Sequence, residues 1–482
     1  MTSPFCIKDN VLFIISHLLI VMASISKYLS LFQPPYKEYG VEQIKWVNYR
    51  PVSQITNSSA IEFNIAGTSA DYFLLSKTFL HVKVKIVHTD GTSLAKDEEV
   101  SLTNLALSSL FRQVDVYLGQ QVINPSVGSN YPYKAYLDVL LNYNHAIKEG
   151  QLVAEGYSKD TAFFFDLGGN SGHDVRRDWT KVSNIADFEG PLHVDAAQID
   201  RAILNGTEIG IKLYQSSDEF RLFSAHPIDS AEKNDNYKLV INDVMLKACF
   251  MKPTPSMLLA HSNQLKRNPT IYPYWKSVIK TFTVPQGNHS FSIEDLFFGN
   301  CPNKLVVGIV SSSAYSGSMT KNPFNFHHYN LIFLEFTLDG TPVPHGAFTP
   351  KYVQDPDSGP VIVEPAPQPM NTDDVTEYDT TIDLPYTTYD QGYVSEYLSL
   401  FDFNYPQTNA NWIHKKDYPG GYCLYTFNVK PNTTRELYSD VITGHTRLSA
   451  RFDSALAEPV VVVCYGVFPG HFNIDETRRV IV

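Results

Sequence analysis

The sequence predicts an all-β chain made of two tandem antiparallel β-sandwiches with short embedded helices, jelly rolls being the natural form. Three observations carry this. The 482 residues exceed what one ordinary hydrophobic core supports. Charged residues are only 18%, while aromatics reach 13% and 29 Pro with 26 Gly are spread along the chain, a mixture that suits short strands and long loops better than helical bundles. Apolar residues recur in short period-two runs, without the alternation of strand and helix that a parallel sheet requires.

The first clear strand is "FLHVKVKIV" (79–87), in which Leu80, Val82, Val84 and Ile86 alternate with His81, Lys83 and Lys85. "HTDG" (88–91) follows with turn chemistry. In "LFRQVDVYLGQQVI" (110–123) Val114, Val116 and Leu118 face inward and Gly119 turns the chain. Over 131–152 the spacing becomes helical, with Tyr133, Tyr136, Leu137, Leu140, Leu141 and Asn144 on one face and Gly150 as the stop. Strand patterns at 206–215 and 237–252 complete a first sandwich over residues 51–252. Residues 253–275 hold four prolines and no sustained strand pattern, and read as the connector. The second sandwich, 276–482, has strand patterns at 277–285, 304–312, 329–340, 420–431, 446–454 and 459–468.

Charge is unevenly placed. Between Lys351 and Lys415 there is no Lys or Arg, while eleven Asp and Glu residues occur; removing them from the net charge of −12 leaves −1 for the rest. No basic block supports sequence-specific or tight nucleic-acid binding. The Pro-rich acidic insertion 353–390 lacks the spacing of a calcium loop and reads as a solvated external loop. The five cysteines (Cys6, Cys249, Cys301, Cys423, Cys464) are widely spaced with no CxxC, which reads as reduced core thiols in an intracellular folding compartment. Residues 1–50 form an N-terminal extension and arm. Its apolar run "VLFIISHLLIVMASI" (11–25) is a signal or membrane segment, a buried terminal helix, or an extension upstream of a start at Met22.

Catalytic, cofactor-binding and metal-binding residues are expected to be absent, for no hydrolase elbow, HExxH, phosphate loop or dinucleotide fingerprint is present. The adjacent His327 and His328 of "NPFNFHHYNLIFLEFTLDG" (322–340) are the conspicuous candidates. If residues 326–336 are extended, the two side chains point to opposite sheet faces and cannot hold one ion, one being packed and the other exposed.

Five stretches together resemble the double jelly-roll major capsid proteins of Maverick (Polinton) elements and adintovirus-like viruses: "YLSLFQPP" (28–35), "PVSQITNSSAIEFNIAG" (51–67), "YPYKAYLDVLLNY" (131–143), "NPFNFHHYNLIFLEFTLDGTPVP" (322–344) and "GHTRLSARFDSALAEPVVVVCYGVFPGHFNID" (444–475). The resemblance implies a hexon-like subunit that trimerises into pseudo-hexamers tiling an icosahedral shell around double-stranded DNA, with penton and minor capsid proteins as partners and the virion as location. It implies an inner arm carrying Tyr28, Leu29, Leu31, Phe32, Pro34 and Pro35. Two rivals stay open: a β-sandwich binding carbohydrate or a receptor at a cell surface, in which "IYPYW" (271–275) would stack on sugars, and a glycan-processing hydrolase with paired carboxylates in a cleft.

Overall fold

The computed structural model describes residues 40–55, 60–96, 98–123, 130–224, 237–352, 392–402, 411–430 and 440–482. All of these but Gly40 and Val41 belong to one compact unit, Glu42–Val482. The arm residues Tyr28 to Pro35, the apolar run 11–25, Cys6 and the insertion 353–390 lie outside the described residues.

Besides the short pair Val100–Leu102 and Leu222–Ser224, eight strands build the main sheets of the first half: β1 (Val41–Tyr49), β2 (Ile61–Ile65), β3 (Tyr72–His88), β4 (Phe111–Leu118), β5 (Gln121–Val122), β6 (Ala186–Pro191), β7 (Ile209–Gln215) and β8 (Tyr237–Pro253). They form two sheets, in the orders β1-β8-β3-β6 and β2-β7-β4-β5. In the second half, besides the two-residue pairs Asn300–Cys301 with Ile442–Thr443 and Phe326–His327 with Gly420–Gly421, eight strands build the main sheets: β9 (Thr270–Val284), β10 (Ser290–Glu294), β11 (Lys304–Ser311), β12 (Leu331–Leu338), β13 (Thr341–Pro342), β14 (Leu424–Asn428), β15 (Thr446–Phe452) and β16 (Val460–Ile474), with β17 (Val480–Ile481) added at the end. Their sheets run β9-β16-β11-β14 and β10-β15-β12-β13, with β17 on β16. Counted from its own first strand, each half therefore has the same two orders, 1-8-3-6 and 2-7-4-5. This is a jelly roll made twice, and the fold class read from the sequence is borne out.

The first core lies between the first two sheets, where Leu80, Val82, Val84 and Ile86 of β3 meet Val114, Val116 and Leu118 of β4. In β8 the apolar phase slips by one residue, from Leu239 and Ile241 to Val244, Leu246 and Ala248. A bulge between Ile241 and Asp243 absorbs the slip, so both runs still face inward. The run "VVVVCYGVF" shows no alternation because both of its faces are covered. Val460, Val462 and Cys464 enter the second sandwich core, while Val461, Val463 and Tyr465 enter a cluster between the halves. Strand β11 is divided likewise, Leu305, Val307 and Ile309 to one side and Val306 and Val310 to the other.

Several expectations are corrected. The helix over 131–152 is two helices, α1 (Tyr131–Asn142) and α2 (His145–Glu149), because the Asn144 side chain accepts the Ile147 N–H and starts a new helix instead of lying on a shared face. The connector is regular: it contains α4 (Pro255–Leu265), with Pro at a first-turn position, and the opening of β9. Helices α3 (Ser171–Thr180) and α5 (Val394–Asp402) have no counterpart in the sequence reading. The strand expected over 420–431 is broken into Gly420–Gly421 and β14. A Cβ on Gly421 (φ +120°) would lie 2.4 Å from the Phe165 ring, so glycine is what lets the first half pass over this bend.

Candidate functional site

Helix α1 is the hub of the structure between the sandwiches. Every residue from Tyr131 to Leu141 is buried, so its polar side chains must be satisfied internally. Tyr136 stacks on Phe324 with ring centres 4.1 Å apart and planes 1° from parallel, and Tyr133 meets Phe324 edge-on at 5.6 Å. Lys134 sits between Asp138 and Asp195, 3.3 Å from the latter. Burial by itself would push the Lys134 ammonium down, but the two carboxylates outweigh it and hold it above its ordinary range. Asp195 accepts the Ser277 N–H at 2.7 Å, and Tyr465 donates its hydroxyl to Asp138 at 2.6 Å. One buried cluster thus joins α1 to β9 and β16.

A second cluster surrounds Asp160 and Arg176, both wholly buried, at 2.7 Å. Arg176 also donates to the Leu102 carbonyl at 2.9 Å and to the Ser158 carbonyl at 3.0 Å. The Asp160 carboxylate accepts from Asn104 and Asn170, each at 2.9 Å, and Tyr422 of the second half donates to its backbone carbonyl at 2.6 Å. These groups are satisfied by one another. They can fix geometry, and their chemistry offers no free nucleophile or base.

Lys148 of α2 is 1% exposed and donates to the carbonyls of Leu140, at 2.8 Å, and of Asn411 in the second half. Burial first, and the nearby Lys159 ammonium second, lower its pKa to about 7. Lys159 itself is paired with Asp417 at 2.7 Å. A lysine lowered in the folded state costs stability fully below about pH 7, and the cost fades as pH rises toward 10.5, where the unfolded chain also loses the proton. Lys148→Met is therefore expected to raise the melting temperature more at mildly acidic than at alkaline pH, the difference corresponding to about 2 kcal/mol. Thermal melts across that range check it: equal shifts at both ends would mean the amine stays charged throughout.

The histidine pair does not obey the extended geometry. The strand stops at His327, Tyr329 and Asn330 take left-handed backbone angles (φ 45° and 52°), and β12 starts only at Leu331. The two imidazoles consequently stack on each other at 4.4 Å rather than pointing to opposite faces. His327 Nδ1 accepts the Tyr329 N–H at 3.1 Å and His328 Nδ1 the Asn330 N–H at 3.0 Å, so each ring braces the turn. Burial lowers His327 to about 4, and His328 lies well below its usual value for the same reason. The stack continues through Tyr352, Tyr393 and Tyr418. His328 is fully buried and His327 half-buried, next to a cleft of about 350 Å³ that also holds Asp166, Lys321, Tyr329 and Glu458. Glu458 is engaged by Lys321 at 2.7 Å, Ser311 at 2.9 Å and the Tyr329 hydroxyl at 3.1 Å. Asp166 accepts the Asn322 N–H at 2.6 Å and the Asn325 amide at 2.8 Å. Both carboxylates are thus bound within the protein.

Among the described residues no three His, Cys, Asp or Glu side chains are grouped to hold a metal ion. Cys249, Cys301, Cys423 and Cys464 are free and buried, as the cysteine spacing leads one to expect. In "IYPYW" Tyr272 and Tyr274 are buried in the first core, Tyr272 donating to the Ala202 carbonyl at 3.1 Å, so these rings are not displayed for stacking on a sugar. Among the described residues no helix is long and apolar enough to cross a membrane. The sequence reading missed both buried charge clusters; the only signal available was the placement of Lys134 and Asp138 four apart on a helix that is otherwise apolar.

No family model matches the chain. An uncharacterized protein of Caenorhabditis elegans, F54H12.2, is 25% identical over 322 residues, which are 64% of this chain and 73% of that protein. A chain in the 3.5 Å cryo-EM structure of the Sputnik virophage superposes with a TM-score of 0.57 at 11% identity, covering 95% of this chain and 92% of that one. The Faustovirus major capsid protein gives 0.52 at 9% identity, covering 92% of each chain. At such identities the likeness is one of fold, and the chain shares the double jelly-roll fold of viral major capsid proteins.

Proposed function

We propose that the protein is a major capsid subunit, a structural component without catalytic activity, that assembles with copies of itself. The observation that carries this reading is the repeated 1-8-3-6 and 2-7-4-5 strand order within one compact unit, supported by the fold likeness to a chain of the Sputnik virophage and to the Faustovirus capsid protein. Two stacked jelly rolls give one subunit two sides of similar shape. Three such subunits, each presenting two different complementary patches, close into a ring with a near-hexagonal outline. Such pseudo-hexameric trimers tile an icosahedral shell of a double-stranded DNA virus of the Maverick (Polinton) and adintovirus-like kind, with penton and minor capsid proteins completing the virion. Residues 51–252, joined by β1 from the end of the extension, and 276–482, joined by the opening of β9, are the two rolls, the rest of 253–275 links them, the arm with Tyr28, Leu29, Leu31, Phe32, Pro34 and Pro35 lies on the inner side, and the acidic insertion 353–390 faces outward. No sequence-specific contact with the genome is part of this reading.

The mass of the purified protein in solution, followed by negative-stain imaging, tests it. Trimers or shells with six-fold-like subunits are the expected result, and a strict monomer at every concentration would overturn the proposal.

A further inference from the structure

Helix α4 is exposed along nearly its whole length; of its eleven residues only Leu265 is buried. Its first turns carry Met257, Leu258 and Leu259, the last of these 65% exposed, and the chain leaves it through Lys266 and Arg267. Three residues after Arg267 the chain enters β9 at Thr270, whose partner is Ile474. Next to it, Ile271 pairs with Asn473, which pairs in turn with Ile481 of β17. Three more aliphatic side chains are therefore displayed at this corner, Ile271 at 55%, Ile481 at 49% and Val482 at 60% exposure. Ile271 and Ile481 thus flank Asn473 on neighbouring strands, and exposed aliphatics on adjoining elements ask for a partner.

The same corner is cationic. Arg201 donates to the Ile271 carbonyl, and Arg478 donates to the Asn205 carbonyl at 2.6 Å. With Lys266, Arg267 and Arg479 they make five cations, and none of the five forms an ion pair among the described residues. The facing acids are Asp200, Asp475 and Glu476, and the Asp475 carboxylate is taken up by Thr477 and the Arg479 N–H. Beside them a groove of about 310 Å³ runs between Leu204, Leu258, Leu259 and Leu265, with Arg478 at its rim.

We propose that this corner, formed by α4, the start of β9 and β17, is a docking surface for a bilayer that carries anionic lipid. Aliphatic side chains enter the boundary between headgroups and acyl chains while the surrounding cations meet lipid phosphates, which is how interfacial helices hold to membranes. Nucleic acid shares the phosphates but gives exposed Leu and Ile nothing to contact, and the aromatic ring of α4, His261, is already stacked on Tyr72. The inference goes beyond the capsid reading and does not depend on it.

Flotation of the full chain with phosphatidylcholine vesicles, with and without phosphatidylserine, tests the surface. Binding to the anionic vesicles only, weakening with added salt, is the expected result. Each neutralised cation should weaken partitioning about fivefold, so Lys266→Gln with Arg267→Gln should weaken it about twenty-fivefold, and Leu259→Ser should weaken it further. All three side chains are exposed, so the variants should melt as the parent does, which a thermal scan verifies. The proposal is overturned if the chain fails to float, if it binds neutral vesicles equally well, if the double variant floats like the parent, or if duplex DNA is bound and vesicles are not.

Discussion

Replacing Arg176 by Leu is expected to lower stability by about 3–5 kcal/mol, the usual cost of removing one partner from a buried ion pair. Arg176 and Asp160 are both wholly buried, so no water can take the place of the lost guanidinium. The substitution also strips donors from the Leu102 and Ser158 carbonyls. Against a total of about 5–15 kcal/mol for a typical domain, this is a large fraction. The midpoint of denaturant unfolding is the measurement. Adding Asp160→Asn to the variant should restore part of the loss, because the remaining cost is chiefly a lone buried carboxylate. An unchanged midpoint for the single variant would mean the site admits water.

Phe324→Ala is expected to cost a further class of stability, about 3–5 kcal/mol for an aromatic side chain removed from a packed core. Phe324 belongs to the second half yet stacks on Tyr136 of the first and is met edge-on by Tyr133 and Phe220. Its loss opens a cavity between the halves while leaving each sandwich core intact. The distinctive outcome is a split unfolding curve: one transition in the parent becomes two in the variant. A single transition displaced to lower denaturant would show that the halves are held together by the other contacts of this cluster.

The strands whose one face is buried were legible in the sequence because alternation in β3, β4 and β15 is the direct imprint of that burial. Strand β10 was not, since its alternation is only five residues long and carries just two apolar side chains, Phe291 and Ile293, both half-buried. Helix α3 escaped for the opposite reason: it buries His173 and Arg176, polar residues that a search for apolar periodicity discards. The connector misled because proline at the start of a helix and within β9 looks the same in sequence as proline in a loop. The charge clusters were invisible because Asp160 meets Asn104 and Asn322 across 56 and 162 residues, separations that no spacing rule covers. The histidine pair failed at one step, the assumption that residues 328–330 remain extended, when two left-handed residues in a row bend the chain there.

The long strand β16 has a consequence for the order in which the molecule is made. Its Val460, Val462, Cys464 and Phe468 fill the second core, but its Phe472 and Ile474, together with Val480, close the first core. Synthesis runs from the N-terminus, so the first sandwich stays unsealed until the other strands of the second have been made. Both rolls wait for β16, and a cut before Val460 removes residues from both cores.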